Sequence, residues 1–292
     1  MDDDPYRLSS PDRHLDDDPF EVQSLSPEQQ RHVDLMRHIA QEVTARTGDN
    51  FVLKGGTVLL LAYGLPRFST DLDFDGRHTS VDLTASLRAG VEAAGMPTHN
   101  LRTAKNTWAV LRHMVHYRDD AMRPLKVEAS YRQADQIIDE ADITVIDDIR
   151  TYTIDKLASL KIDALVNRTK ARDIFDTSYL LTKYPEAITD TDLQRIDQLI
   201  DIIGLNDLEA IMLDDDILKR FGLIVQNCIN VLKCQIRHIY NNSATEDKPG
   251  NQFSELLTVY LSKSLALTPS FSAILSTLFS VRLRSPRSTP PM

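Results

Sequence analysis

Apolar positions along this chain of 292 residues change their repeat as the chain proceeds. From Ser26 to about Arg46, Val33, Met36, Ile39, Ala40 and Val43 recur every three or four positions, the buried stripe of one amphipathic helix. Ser26-Pro27-Glu28-Gln29 supplies its start, with serine as N-cap, proline at the first helical position and glutamine closing a capping box. After Gly48-Asp49-Asn50 the pattern shortens. Phe51-Val52-Leu53 reads as a strand, and Val58 to Ala62 as a helix with Thr57 as N-cap, Gly64 at C′ and Pro66 barring continuation. Asp71 to Phe74 alternates as a second strand. Val81 to Ala94 predicts another helix, stopped by Gly95 and Pro97, while Thr107 to Tyr117, Leu125 to Tyr131 and Ile143 to Ile146 predict strands. From Thr153 the period returns to 3.6: Ile154, Leu157, Ala158, Ile162 and Leu165 mark one helix, Ile174, Phe175, Tyr179 and Leu180 the next, and further helices follow over 190–235.

A strand-and-helix half followed by an all-helical half predicts an α+β fold. The expected organisation is an acidic, disordered arm over 1–24, a catalytic domain over 25–150, a helical domain over 151–236, and a tail over 237–292 to which no structure is assigned. In that tail Ser264 to Val281 is uncharged, but eight of its eighteen residues are Ser, Thr or Pro. A buried helix pair or a poorly ordered segment therefore accounts for it better than a membrane span.

Charge changes the picture more than composition does. With 42% apolar and 26% charged residues the chain is ordinary for a soluble protein, and its net charge of −10 argues against indiscriminate nucleic-acid binding. Yet Arg102 to Arg132 holds seven Lys and Arg against three acids, so a polyanion can meet a locally basic face. Cys228 and Cys234 give neither a disulfide framework nor a zinc site and read as a buried pair on one helix. The N-terminus has no secretory pattern, which predicts a cytoplasmic protein and makes the sequon at Asn241 a chance match. Asp214-Asp215-Asp216 reads as a solvated helix start.

Candidate chemistry concentrates in Phe51 to Asp75. The glycine pair Gly55-Gly56 after Lys54 lets backbone N–H groups approach a phosphate with no Cβ in the way. Farther on, period-2 alternation sets Asp71 and Asp73 on one strand face and Leu72 and Phe74 on the other. Two carboxylates so placed can bind a hard divalent cation, Mg²⁺ or Mn²⁺, which keeps substrate phosphates in its shell. Glu128 joins them if its strand lies alongside, and Lys54, Arg67 and Lys156 offer charge for phosphoryl or nucleotidyl transfer. Plainer roles stay open: Lys54 laid along a strand edge, Arg67 pairing with a carboxylate to fix its loop, and Arg172, Asp173 and Asp176 as a helix ion network. His113 and His116, three apart on a strand, face opposite ways and do not share a metal.

In this order, KGGT, RFSTDLDFD and the helical IDKLASLKIDALVNRTKARDIFD resemble the AbiEii/AbiGii-type nucleotidyltransferase toxins of the polymerase-β-like nucleotidyltransferase superfamily, over roughly Ser26 to Tyr184. The resemblance implies a nucleotidyltransferase-type mixed sheet with flanking helices and a helical C-terminal domain. It places Gly56 and Thr57 on the nucleotide triphosphate, beside Lys54, Gly55 and Arg67, with Asp71 and Asp73 on Mg²⁺ and Ser69 as the serine two before the first aspartate. Lys156 matches the family's nucleotide-contacting lysine, and Arg168, Arg172, Asp173 and Asp176 match its Arg…Arg-Asp-x-x-Asp pattern. Where the family has a third aspartate, Glu128 is the nearest match by strand phase, a catalytic and metal-binding role for a longer side chain. Such proteins are toxins of two-gene, type IV toxin–antitoxin systems, and some add nucleotides to tRNA acceptor ends. The implied activity is Mg²⁺-dependent transfer from an NTP to an RNA, a tRNA 3′ end, with a cognate antitoxin encoded by the adjacent gene as partner and no membrane. Transfer to a protein or small molecule, or a nucleotide-binding module without turnover, are the alternatives.

Overall fold

A computed structural model describes residues 20, 25–96, 100–117, 124–132, 138–215 and 225–234. The expectations for the arm over 1–19 and 21–24, for Asp216 and for the tail, including Asn241 and the run Ser264 to Val281, lie outside the described residues. Helix α1 (Pro27–Thr47) begins as expected, with the Ser26 hydroxyl accepting from the Gln29 N–H and the Gln29 side chain accepting from the Ser26 N–H. Then follow β1 (Phe51–Lys54), α2 (Gly56–Ala62), β2 (Asp71–Gly76), α3 (Thr84–Ala93), β3 (Asn100–Asn106), β4 (Val110–His116), β5 (Leu125–Ser130), β6 (Ile143–Ile146) and β7 (Ile149–Tyr152). The helical part comprises α4 (Ile154–Arg168), α5 (Ala171–Lys183), α6 (Asp190–Ile203), α7 (Leu205–Asp214) and α8 over 225–234.

The seven strands form one mixed sheet in the order β3-β4-β5-β2-β1-β7-β6. β2 is its centre, antiparallel to β1 and parallel to β5. Alternation along β2 buries Leu72 and Phe74 in a core shared with Phe51, Leu53, Val127 and Ala129 and with Met36, Ile39 and Val43 of α1. Slipping β2 by one residue would carry its carboxylates into that core, which fixes the register. β3 is a strand the hydrophobic pattern did not announce. Only Leu101 in it is even partly buried, as suits an edge strand paired on one side alone. β7 also went unannounced. It pairs with β6 across Asp147 and Asp148, whose φ values of 49° and 63° supply the two left-handed positions of a tight hairpin without the Asn-Gly that usually signals one.

All described residues belong to one compact unit running to Ile239, and the expected boundary at 150 falls inside it. The reason is β7, which straddles that position and pairs with β1 in the sheet before the chain enters α4. α5 is the pivot of the helical part, buried from Asp173 to Leu181, and Phe20 packs edge-on against its Phe175 and Tyr179 at 5.6 and 5.5 Å. Asp214 and Asp215 close α7 rather than open a helix. Cys228 is buried, its thiol pKa pushed up to about 12 by burial, whereas Cys234 is exposed, because six positions along a helix turn it roughly 120° away from the buried stripe. No helix of the described residues is long and apolar enough to cross a membrane.

Candidate active site

The turn after β1 sets the geometry. Gly55 takes φ +85°, a conformation that favours glycine, and begins α2 with no side-chain cap. Thr57 is therefore the second residue of the helix and not its cap. Its hydroxyl donates to the Asp71 carbonyl and lies 2.7 Å from the Ser69 hydroxyl, tying the glycine turn to the start of β2. A Cβ on Gly56 would run into the Arg67 guanidinium, so this backbone lies against a cation as only glycine permits.

Asp71 and Asp73 stand side by side, 35% and 43% exposed, at the end of β2 nearest this turn. Register pairs them with Lys126 and Glu128 of β5. Glu128 thus lies beside the aspartates as its strand phase predicts, but Arg112 of β4 holds its carboxylate through Nε at 2.7 Å. Lys126 is the neighbour sequence reading missed: its Nζ lies 2.8 Å from Asp71 Oδ2 and 3.7 Å from Asp73 Oδ1. Burial works to lower the Lys126 pKa, and the hydrogen bond it donates to Asp71, with the charges of Asp73, Asp71 and Glu128, outweighs it, so the ammonium is held above its ordinary value. Burial raises the Asp73 pKa, Lys126 offsets part of this, and the negative charges of Asp71 and Glu128 add to the rise.

A cavity of about 300 Å³ opens here, lined by Gly55, Gly56, residues Arg67 to Asp71, Asp73, Lys126, Lys161, Arg168, Arg172 and Asp215. Five cations against three carboxylates make it a basic recess on an acidic chain. Behind it Asp176, fully buried, accepts from Arg67 Nε and Nη2 at 2.8 and 2.9 Å and from Lys161 Nζ at 2.5 Å. Arg67 thus does pair with a carboxylate to fix its loop, and it lines the cavity as well. Asp173, equally buried, accepts two bonds from Arg168 at 2.7 and 2.6 Å.

Two predicted site cations sit elsewhere. Lys156 pairs with Asp142 at 2.8 Å, outside the cavity lining. Five residues farther along α4, a rotation of roughly 140°, Lys161 takes the cavity position. Its place in the buried stripe with Leu157, Ala158, Ile162 and Leu165 is the sequence signal that could have found it. Lys54 also turns away from the cavity, because Asp75, third in the alternation of β2 and 5% exposed, needs a counter-charge. Lys54 supplies one at 2.5 Å and the Tyr152 hydroxyl donates at 3.0 Å.

The donors at Asp71 and Asp73 are hard carboxylate oxygens beside a recess lined by cations, and that set fits Mg²⁺ or Mn²⁺. Among the described residues no cluster of three His, Cys, Asp or Glu side chains gathers to hold a metal, so substrate oxygens would have to complete the shell.

Comparison with known proteins bears on the fold and the family. The crystal structure of JHP933 from Helicobacter pylori is 27% identical and superposes with a TM-score of 0.61, covering 76% of this chain and 97% of that one. A second H. pylori structure, of a proposed nucleotidyltransferase, gives the same identity and TM-score over 77% of this chain and 100% of the other. MenT4, a nucleotidyltransferase toxin from Mycobacterium tuberculosis, is 13% identical with a TM-score of 0.37 over 71% of this chain and 95% of that one, too distant to carry weight. No curated protein sequence matches the chain. The family model for the nucleotidyl transferase AbiEii toxin of type IV TA systems matches residues 39–228, well over half the chain. The protein therefore belongs to the AbiEii family of nucleotidyltransferase toxins.

Proposed function

We propose that the protein is a Mg²⁺-dependent toxin that transfers a nucleotide from an NTP to the 3′ end of an RNA, a tRNA for preference, and is counteracted by an antitoxin encoded beside it. The observation that carries this is the placement of Asp71 and Asp73 at the mouth of a recess lined by Gly55, Gly56, Arg67, Lys126, Lys161, Arg168 and Arg172. The triphosphate lies along the glycine turn, where Gly55 and Gly56 keep the backbone free of side chains. Arg168, Arg172 and Lys161 face its outer phosphates and offset the charge that builds as pyrophosphate leaves. Asp71 and Asp73 would hold the cation, which when bound shields the phosphate oxygens and makes the attacking hydroxyl more acidic. The acceptor's 3′ hydroxyl gives up its proton to solvent and its oxygen forms the new bond to the α-phosphorus, while the α–β bridge breaks and pyrophosphate leaves with the bonding electron pair. In this reading Glu128 stays with Arg112, and Lys126 is the group that must release Asp71.

Incubating the protein with each labelled NTP, Mg²⁺ and total tRNA tests the reading. Label should appear on RNA with the wild type, and Asp71→Ala should reduce it about a hundred- to a thousandfold, as expected for losing a group that would hold the charge-stabilising cation. Folded wild-type protein that labels no RNA from any NTP, while labelling a protein or small molecule, would overturn the RNA assignment.

A further inference from the structure

We propose that the sheet face running outward from Asp71 and Asp73 across β5, β4 and β3, ending at Trp108, is the docking surface for the single-stranded 3′ end of the acceptor. This rests on the RNA-acceptor reading above. Strand register defines the surface, because directly paired residues share a face. One row runs from Asp71 through Lys126 and Met114 to Arg102, and the next from Asp73 through Glu128 and Arg112 to Lys105. Side-chain contacts agree with it: Lys126 reaches Asp71 and Arg112 reaches Glu128 on this face, whereas Thr103 meets His113 on the other at 3.3 Å.

Along both rows the charge becomes positive with distance from the aspartates. Arg112 neutralises Glu128, while Arg102 and Lys105 on the edge strand are exposed and have no ion-pair partner among the described residues. Three strand spacings of about 4.8 Å put them roughly 15 Å from the aspartates, a reach of two or three nucleotides. At the turn between β3 and β4 the Trp108 side chain is 83% exposed, the most exposed large hydrophobic residue of those described. An indole on a cationic sheet edge is a stacking platform for an unpaired base, with Arg102 and Lys105 positioned for the backbone. A protein partner is the poorer fit, since the edge strand gives this face Asn100, Arg102 and Lys105, all exposed and polar, with no apolar residue among them.

Trp108 is the chain's single tryptophan, so intrinsic fluorescence reports this surface directly. Titrating the full chain with total tRNA, and with an eight-nucleotide single-stranded RNA, should quench Trp108 saturably, with affinity falling steeply as salt rises. NTP alone should leave the emission unchanged. Trp108→Ala should raise the KM for RNA about tenfold or more, the loss of one stacked base. Arg102→Glu with Lys105→Glu should do the same, and all should leave the KM for NTP and the melting temperature unchanged. Because the three side chains are exposed, each single variant is a fallback should the double charge reversal fail to fold. RNA labelled at the wild-type KM by these variants would overturn the docking surface while leaving the RNA-acceptor reading intact. No RNA binding or labelling by the wild type would remove both. Variants that keep their RNA kinetics but lose binding of the antitoxin would assign the surface to a protein instead.

Discussion

Replacing Asp176 by asparagine keeps the shape of the side chain and removes the one charge that Arg67 and Lys161 share. Those two cations are 15% and 9% exposed and Asp176 is fully buried, so little solvent screens the change. A unit charge pair near 4 Å at an effective dielectric of about 20 is worth about 4 kcal/mol. Breaking a buried pair by removing one partner costs about 3–5 kcal/mol, because the other charge stays desolvated. Two cations are stranded here, so Asp176→Asn should lose about 3–5 kcal/mol in urea unfolding at pH 7, a large part of the ~5–15 kcal/mol typical of a folded unit. Acidity supplies a second reading. Burial alone would raise the Asp176 pKa, but Lys161 and Arg67 outweigh it and hold the carboxyl below the usual carboxylate range. A depressed folded pKa gives stability that is complete above the unfolded value, near 3.9, and is lost as pH falls from there toward the folded value. The gap between wild type and variant should therefore be flat down to about pH 4 and narrow only below it. A loss under ~1 kcal/mol at pH 7, or a gap that closes between pH 7 and 5, would refute the ion-triad reasoning.

Two other perturbations probe different parts. Lys126→Met removes the ammonium that competes for Asp71 and Asp73, and since all three groups are partly exposed the effect is modest, about 1 kcal/mol. Mn²⁺ should then bind roughly fivefold more tightly by calorimetry without nucleotide, and unchanged affinity would show that the lysine does not compete. Gly90→Ala would place a Cβ 2.5 Å from the Ile39 Cα and 2.8 Å from its N, where α1 and α3 cross. Overpacking of this kind should cost about 1–3 kcal/mol in denaturant unfolding, and a neutral result would mean that the two helices part easily.

What was legible in the sequence was local. The period-2 phase of β2 placed Asp71 and Asp73 correctly and put Glu128 on the right face of its own strand, because both follow from alternation alone. What each carboxylate actually meets depends on which strands become neighbours. Arg112 reaches Glu128, and Lys126 reaches Asp71, only through pairings between β4, β5 and β2 that no local pattern specifies. The choice between Lys156 and Lys161 shows the same limit from the other side. Both lie on α4, and the apolar stripe already marked which one faced inward, but a charged residue within a stripe reads as an interruption until its buried partner, Asp176, is known. β3 escaped notice because an edge strand has no need of apolar residues on either face.

The bond between Arg67 and Asp176 spans 109 residues of chain. At a synthesis rate of about 5–20 residues per second, the ribosome holds the glycine turn and both aspartates of β2 for roughly 5–20 s before α5 exists. Through that interval Arg67 lacks its partner Asp176, and Arg172, itself in α5, has not yet been made. A nascent or truncated chain that stops short of α5 therefore carries the motif without Arg172 and without the buried carboxylate that holds Arg67 and Lys161 in place.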